Sequence, residues 1–300
     1  MNIVGIFRKF PNQEACIKHL ESIRWNTKVT CAYCGSSNNY KAKDRLRHHC
    51  NDCRKSFSVT VGTIFHNTKM PLQKWFLAIS LILNAKKRIS TRQLARDLEL
   101  PVKTAWSVGM RIRKAFKSEE KELLKGIFEM DETYVKNAPQ DRDEDDNDKR
   151  GGGHSNKTHT SVVAFKEKSG DVKAFVTNDT TALTLGEIIF NNIETGSEIH
   201  TDEYNSYKHI RKFWNHKTVN HSIEYVIKDG IHTNSVEGFW ALLKRGIKGN
   251  FHWLSKKHLS SYVKEFEFRY NNRENELVFG DVLNRMLGCR LDRSIVSKNF

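Results

Sequence analysis

The sequence predicts a multidomain α+β protein on three observations. Two CxxC pairs lie near the N-terminus, two short helical stretches joined by a tight turn follow, and after Lys125 come three strands, a helix, a strand and further helices. A chain of 300 residues is long enough for two or three modules, each with its own core. The expected partition is 1–60, 61–121, 122–275 and a C-terminal tail over 276–300.

Asn12 to Trp25 carries Cys16, Leu20 and Ile23 at helical spacing, which predicts a short amphipathic helix. Cys31, Cys34, Cys50 and Cys53 then make two knuckles separated by fifteen residues. Each knuckle offers two thiolates from one tight turn, so the spacing predicts a tetrahedral Zn²⁺ site, a zinc ribbon. Four protein sulfurs leave no position for water, which makes that zinc structural. Unligated buried cysteines are the alternative, and the paired spacing argues against it. Arg45, Arg47, His48, His49, Arg54 and Lys55 surround the second knuckle and suit phosphate contact; a solvated basic face has the same composition.

The bulk composition sets the context. Hydrophobic residues are 38% and charged residues 28% of the chain, the balance of a soluble globular protein. The net charge of +15 favours a polyanionic partner, although charge alone is equally met by a basic surface. The longest apolar run, Trp75 to Leu83, is interrupted by Ser80 and too short to span a bilayer. The N-terminus lacks a signal-peptide layout, so a cytoplasmic protein with reduced thiols and no membrane partner is expected. Cys16 and Cys289 read as small buried residues.

Leu72 to Ala85 is strongly apolar and predicts a buried helix. Two shorter helices follow, Thr91 to Leu98 with Ser90 as N-cap, and Val102 to Phe116 beginning after Pro101. Leu94, Ala95 and Leu98 make one apolar face, and Val102, Ala105, Trp106 and Met110 another. Two short helices with a tight turn, the second rich in Lys and Arg, fit a helix-turn-helix. Lys103, Thr104, Ser107, Arg111 and Arg113 are its candidates for facing DNA, while a purely structural helical hairpin is the plainer alternative.

Beyond Lys125, strands are expected at Ile127 to Val135, Thr160 to Phe165 and Val172 to Val176, the last two joined by a turn at Lys168–Asp171. A helix at Leu183 to Asn192, a strand at Ser197 to Thr201 and helices at Asn234 to Ile247 and Ser255 to Tyr270 complete a mixed α/β domain. Lys136 to His159 has no hydrophobic period and reads as a long flexible loop containing the acidic run Asp141 to Asp148. Three acids sit where elements begin or end: Asp131 in the first strand, Asp202 after the strand ending at Thr201, and Glu237 in the helix from Asn234. A strand carboxylate is costly to bury unless paired or metal-bound, and paired metal ions need shared carboxylates. Spacing alone leaves Asp131 and Asp202 equally readable as ordinary strand-end acids.

The chain resembles the DDE-type insertion-sequence transposases with an N-terminal transposase zinc ribbon, the ISXO-like group. The resemblance runs from about Asn12 to Asn272 on the two CxxC knuckles, MDETYV at Met130–Val135, HTDEYNSY at His200–Tyr207, the stretch from His232 to Leu259, and EFEFRYN at Glu265–Asn271. It implies a ribonuclease-H-like core and DNA strand cleavage and transfer, with two Mg²⁺ or Mn²⁺ ions held by Asp131, Asp202 and a third ligand. The group's signature is given with Asn or Glu third, and both Asn234 and Glu237 are present. Glu237 offers the anionic oxygen a hard cation prefers, with Asn234 as cap and support. Lys244, seven residues after Glu237 and on the same helix face, is a candidate for contacting DNA phosphate. The implied partner is double-stranded DNA, both element terminal inverted repeats and target, with a homodimer or larger assembly because paired ends must be cut together. Competing readings are a zinc-ribbon and helix-turn-helix regulator without catalysis, and a ribonuclease-H-like nuclease that does not rejoin.

Overall fold

The computed structural model describes residues 1–43, 46–86, 88–117, 123–141, 158–168, 170–203, 207, 211, 213–219 and 234–288. The chain divides into two compact units, Met1–Phe116 with Asn275–Phe300, and Lys117–Glu274.

In the first unit, helices α1 (Ile3–Lys9) and α2 (Gln13–Trp25) each begin at an asparagine. Asn2 accepts from Gly5 N–H at 2.8 Å and Asn12 from Ala15 N–H at 2.9 Å, satisfying donors that a helix start leaves open. Strands β1 (Asn39–Lys41), β2 (His48–Cys50) and β3 (Ser56–Phe57) form a small antiparallel sheet in that order. The apolar α3 (Leu72–Asn84) buries Trp75, Phe76, Ala78, Ile79 and Ile82 and packs against α1, α2, α5 and α9.

Helix α4 (Thr91–Asp97) is capped by Ser90, which accepts from Gln93 N–H, and α5 (Val102–Ala115) starts after Pro101, as expected. Glu99 supplies the left-handed residue of the turn between them, with φ 51°. The buried face of α5 is Ala105, Val108, Gly109 and Ile112, a helical stripe that leaves out Val102 and Trp106. Those two residues were expected on the apolar face, yet they are 53% and 40% exposed.

The expected C-terminal tail begins with helix α9 (Val278–Gly288), a correction to the sequence reading. Phe279, Val282, Leu283 and Met286 are buried where α9 packs on α2, α3 and α5. Phe279 meets Phe76 edge-on with ring centroids 5.9 Å apart.

The second unit is built on a five-stranded sheet in the order β6-β5-β4-β7-β8. Strands β4 (Ile127–Lys136), β5 (His159–Glu167) and β6 (Val172–Thr177) are antiparallel neighbours, whereas β7 (Glu198–Thr201) pairs parallel with β4 and with β8 (Asn215–Thr218). An antiparallel meander extended by two parallel strands is the ribonuclease-H-like arrangement that the resemblance implied. Helix α6 (Ala182–Phe190) sends Leu185 and Ile189 into a core with Phe128, Met130, Val163, Phe165, Ile199, Tyr207 and Trp214.

Helices α7 (Asn234–Gly246) and α8 (Lys256–Asn271) are joined by a π turn at Ile247–Phe251. The EFEFRYN stretch has a structural use at the free edge of β6, where open backbone groups invite unwanted pairing. Glu267 accepts from Ala174 N–H at 2.7 Å, and Asn271 both accepts from Val172 N–H at 2.9 Å and donates to its carbonyl at 2.8 Å. Part of the expected loop over Lys136 to His159 is also ordered by contacts. Asn137 bridges to Leu254, and Asp141, the first residue of the acidic run, accepts from Lys256 N–H at 2.8 Å at the start of α8. The rest of that run and Gly151–Gly153 lie outside the described residues, as does Cys289. Among the described residues no helix is long and apolar enough to cross a membrane.

Candidate active site and metal centre

The four cysteines converge. Cys31 and Cys53 sulfurs are 3.7 Å apart, Cys34 and Cys50 sulfurs are 3.6 Å apart, and all four lie within 4.8 Å of one another. A tetrahedral ZnS₄ centre with Zn–S near ~2.3 Å has sulfurs about 3.8 Å apart, so the spacing fits that ion and is far too long for disulfides. The two knuckles share a backbone solution: the residue after each second cysteine is left-handed, Gly35 at φ 77° and Arg54 at φ 55°. The backbone N–H groups of Cys53 and Asp52 outweigh desolvation at Cys50 and pull its thiol down to about 7, while at Cys34 and Cys53 backbone N–H groups are outweighed by desolvation and hydrogen bonding among the crowded thiols, which push both up.

Around this cluster the basic residues differ in their roles. Arg47, Arg54 and Lys55 are exposed, with Lys55 5.1 Å from the Tyr33 ring centre. His48 is buried instead, bonded to Glu21 at 2.8 Å and stacked on Phe57. Arg45 lies outside the described residues. Lone Cys16 is buried, and desolvation pushes its thiol up to about 11.

On α5, Lys103, Thr104 and Ser107 are exposed on the side bearing Val102 and Trp106. Arg111 and Arg113 were expected to face DNA, and the structure corrects both. Arg111 donates to the carbonyls of Ile64 and His66, the latter at 2.8 Å, and lies 5.2 Å from the Trp75 ring centre. Arg113 is only 4% exposed, on the helix face that turns inward. These guanidiniums support the fold of their own unit.

The acids come together through the parallel pairing of β4 and β7. Phe128 pairs with Ile199 and Glu129 with His200, the last pair of the ladder, and the same register continued two places past it would bring Asp131 level with Asp202. Neighbouring strands run about 4.8 Å apart, and paired residues share a sheet face. Burial pushes Asp131 up to about 6, and the charges of Asp202 and Glu237 add to the rise. Glu132 N–H and Trp240 oppose it; Trp240 Nε1–H donates to Asp131 Oδ2 at 2.9 Å. Carboxylates from the end of β7 and from α7 therefore both act on Asp131 of β4.

Glu237 is exposed in the first turn of α7, and Asn234 is exposed at its first residue. Asn234 was expected to cap this helix. The backbone donors of Ser235 and Val236 are instead taken by Glu129 Oε2, at 2.9 and 3.1 Å. Lys244 is exposed on α7, about 10 Å along the axis from Glu237 at 1.5 Å per residue.

Several residues of this site were missed from sequence. Glu132, beside Asp131 in chain order, is driven up to about 7 by burial and by Asp202 and Asp131, against the hydrogen bond it accepts from Tyr207. Burial and the neighbouring Glu132 raise Tyr207 in turn. Three acids within the apolar strand FEMDETYV were the available signal, since buried carboxylates demand partners.

Residues 123–271 match the family described as the ISXO2-like transposase domain, and residues 11–56 the transposase zinc-ribbon domain. A Halobacterium salinarum protein, described as an uncharacterized protein in transposable element ISH50, is 24% identical over 277 residues, covering 87% of this chain and 92% of its own. An uncharacterized transposase-like protein of Haemophilus influenzae is 32% identical over 93 residues, covering 30% of this chain and 73% of its own. Among solved structures, the Mos1 strand transfer complex aligns with a TM-score of 0.29 at 12% identity, over 71% of this chain and 75% of that one. With all four cysteines inside one matched segment and all three acids inside the other, the chain belongs to the insertion-sequence transposases that join a transposase zinc-ribbon domain to an ISXO2-like transposase domain.

Proposed function

We propose that the protein cleaves DNA at the ends of an insertion sequence and joins the freed 3′ ends to target DNA, with Asp131, Asp202 and Glu237 as the metal-holding acids. The half-buried Asp131, held by Trp240 and within electrostatic reach of Asp202 and Glu237, is the observation that supports the reading. Their oxygen-only donor set fits Mg²⁺ or Mn²⁺. Asp131, Asp202 and Glu237 would hold two such ions, which would stabilise charge on the attacking and leaving oxygens. Trp240 Nε1–H, bonded to Asp131 Oδ2, fixes the rotation of the Asp131 carboxylate. In cleavage, a water oxygen bonds to phosphorus, the P–O3′ bond breaks, and the 3′ oxygen leaves as a hydroxyl. In transfer, that hydroxyl attacks a target phosphodiester and displaces the next 3′ oxygen.

The first unit serves as the DNA-end binding module, acting in the cytoplasm, and the assembly on DNA is a dimer or larger. The test is incubation of the purified protein with Mg²⁺ and a plasmid carrying its gene with the DNA that flanks it on both sides, scored for cuts at any inverted repeats found there. Nicks at the repeat ends together with joined products are expected. Nicks without joining identify a nuclease, and binding without nicks identifies a regulator.

The cysteine cluster holds one structural zinc in this reading. Metal analysis should return about one zinc per chain, the content of a single four-thiolate site. The ribbon core is small, comprising Cys31, Cys50, Phe57 and Val61, so a strong chelator is expected to unfold it and abolish DNA binding. Protein purified without chelators and lacking zinc would contradict the assignment.

The arginine correction gives a second contrast. Lys103→Ala is expected to weaken DNA binding and reduce the salt slope by about 1, without loss of stability. Arg111→Ala removes hydrogen bonds to two carbonyls and is expected to destabilise the fold by roughly 1–3 kcal/mol. A changed salt slope in folded Arg111→Ala, with none in Lys103→Ala, reverses the assignment.

A further inference from the structure

Helix α7 touches β4 through hydrogen bonds at two points. At the first, Glu129 Oε2 accepts from Ser235 N–H at 2.9 Å and Val236 N–H at 3.1 Å. At the second, Trp240 Nε1–H donates to Asp131 Oδ2 at 2.9 Å. Glu129 and Asp131 are two residues apart and so share one face of the strand. Their separation along β4 is about 6.6 Å at 3.3 Å per residue. Val236 and Trp240, four residues apart on α7, are separated by about 6 Å at 1.5 Å per residue. The strand spacing and the helix spacing match, and Glu237 lies between the two anchors.

We propose that Glu129 and Trp240 are positioning residues that together set Glu237 against Asp131. The inference rests on the reading of Asp131, Asp202 and Glu237 as metal-holding acids.

Glu129 suits this role physically. A helix start carries unpaired N–H groups and partial positive charge, both met by a carboxylate. Glu129 is 2% exposed, and a carboxylate in that position needs compensation. Lys166 and His200 are its cross-strand partners on β5 and β7. Lys166 is itself buried, donating to the Glu167 and Gly170 carbonyls, and the charge of Glu129 counters part of the drop that burial imposes on its ammonium. One row of the sheet below the Asp131–Asp202 pair, a charged layer thus holds the helix that carries the third acid. A glutamine at position 129 keeps the shape and one acceptor but loses the charge. A phenylalanine at position 240 keeps an aromatic ring and loses the N–H.

The test is Mn²⁺ binding to the full-length protein, followed by electron paramagnetic resonance without DNA, alongside thermal unfolding and the Mg²⁺ dependence of cleavage. Glu129→Gln and Trp240→Phe should each weaken Mn²⁺ binding about tenfold or more, the usual effect of losing a group that orients metal ligands. Each should also raise the Mg²⁺ concentration needed for half-maximal cleavage. A purely structural role predicts lower unfolding temperatures with Mn²⁺ affinity unchanged in the folded variants, and that result overturns the proposal. If Glu129→Gln does not fold, Trp240→Phe decides alone: unchanged Mn²⁺ affinity there overturns the paired anchors. Asp131→Asn separates this inference from the one beneath it. If Asp131→Asn binds Mn²⁺ as the parent does, the metal-site reading itself fails. If Asp131→Asn loses Mn²⁺ while Glu129→Gln and Trp240→Phe retain it, only the positioning roles fail.

Discussion

Asp131→Asn is expected to leave the protein folded and DNA-bound while reducing strand cleavage in Mg²⁺ on the order of 10³-fold or more. The size follows from the several kcal/mol that metal ions contribute to stabilising transition-state charge, at about 1.4 kcal/mol per factor of ten. The same substitution should stabilise the zinc-loaded protein at pH 7 without added Mg²⁺ or Mn²⁺. Asp131 is raised from 3.8 to about 6 in the folded state, so the folded protein binds its proton more tightly than the unfolded chain. Stability from this group is present below about pH 4 and is lost as pH rises through about 6. At pH 7 the ionised carboxylate opposes folding by up to about 3 kcal/mol, an upper bound from two pKa units. Asparagine removes that opposition. In thermal unfolding, the parent should gain stability from Mg²⁺ and Asp131→Asn should gain little. A cleavage rate within a few-fold of the parent, or an equal Mg²⁺ response in both, rules the assignment out.

How far the sequence disclosed this arrangement depends on the distance over which each feature is encoded. The cysteine quartet was legible because each knuckle is a local turn, although the left-handed Arg54 that completes the second knuckle gave no sign in its residue type. Asp131 was legible as an acid within an apolar strand and Asp202 as one at a strand end, but what relates them is the pairing register of β4 with β7, which links residues 71 apart. Arg111 and Arg113 were misassigned because a basic residue on a helix looks the same in sequence whether it meets phosphate or covers buried carbonyls. Strand β8 was missed for a different reason: its four residues, Asn-His-Lys-Thr, show no apolar alternation. The α9 pattern was present in Phe279, Val282, Leu283 and Met286, at helical spacing, yet its packing against helices some 200 residues earlier is not a local property. Glu129 was hidden by distance as well, because the helix start it meets lies 106 residues away.

Glu237→Gln is expected to abolish cleavage, whereas Asn234→Ala should retain most of it. Both side chains are exposed at the start of α7, one helical turn apart, so position alone does not separate them. Two observations do. The charge of Glu237 contributes to the raised pKa of Asp131, which brings it within electrostatic reach of the first acid. The cap that would have occupied Asn234 is supplied by Glu129 through Ser235 and Val236, so losing the Asn234 side chain leaves those donors satisfied. Its expected effect on stability is accordingly below the ~1 kcal/mol typical of a lost N-cap. Glu237→Gln, in contrast, replaces an anionic oxygen with a neutral amide oxygen, which a hard cation binds less well. It also removes a negative charge that acts on Asp131, so the Asp131 carboxyl should titrate lower in the variant, a shift readable by carbonyl-carbon NMR on zinc-loaded protein without added Mg²⁺. Cleavage measured across a Mg²⁺ titration decides between the two residues. An active Glu237→Gln beside a folded but inactive Asn234→Ala would transfer the ligand role to Asn234 and leave Glu237 as a neighbouring charge only.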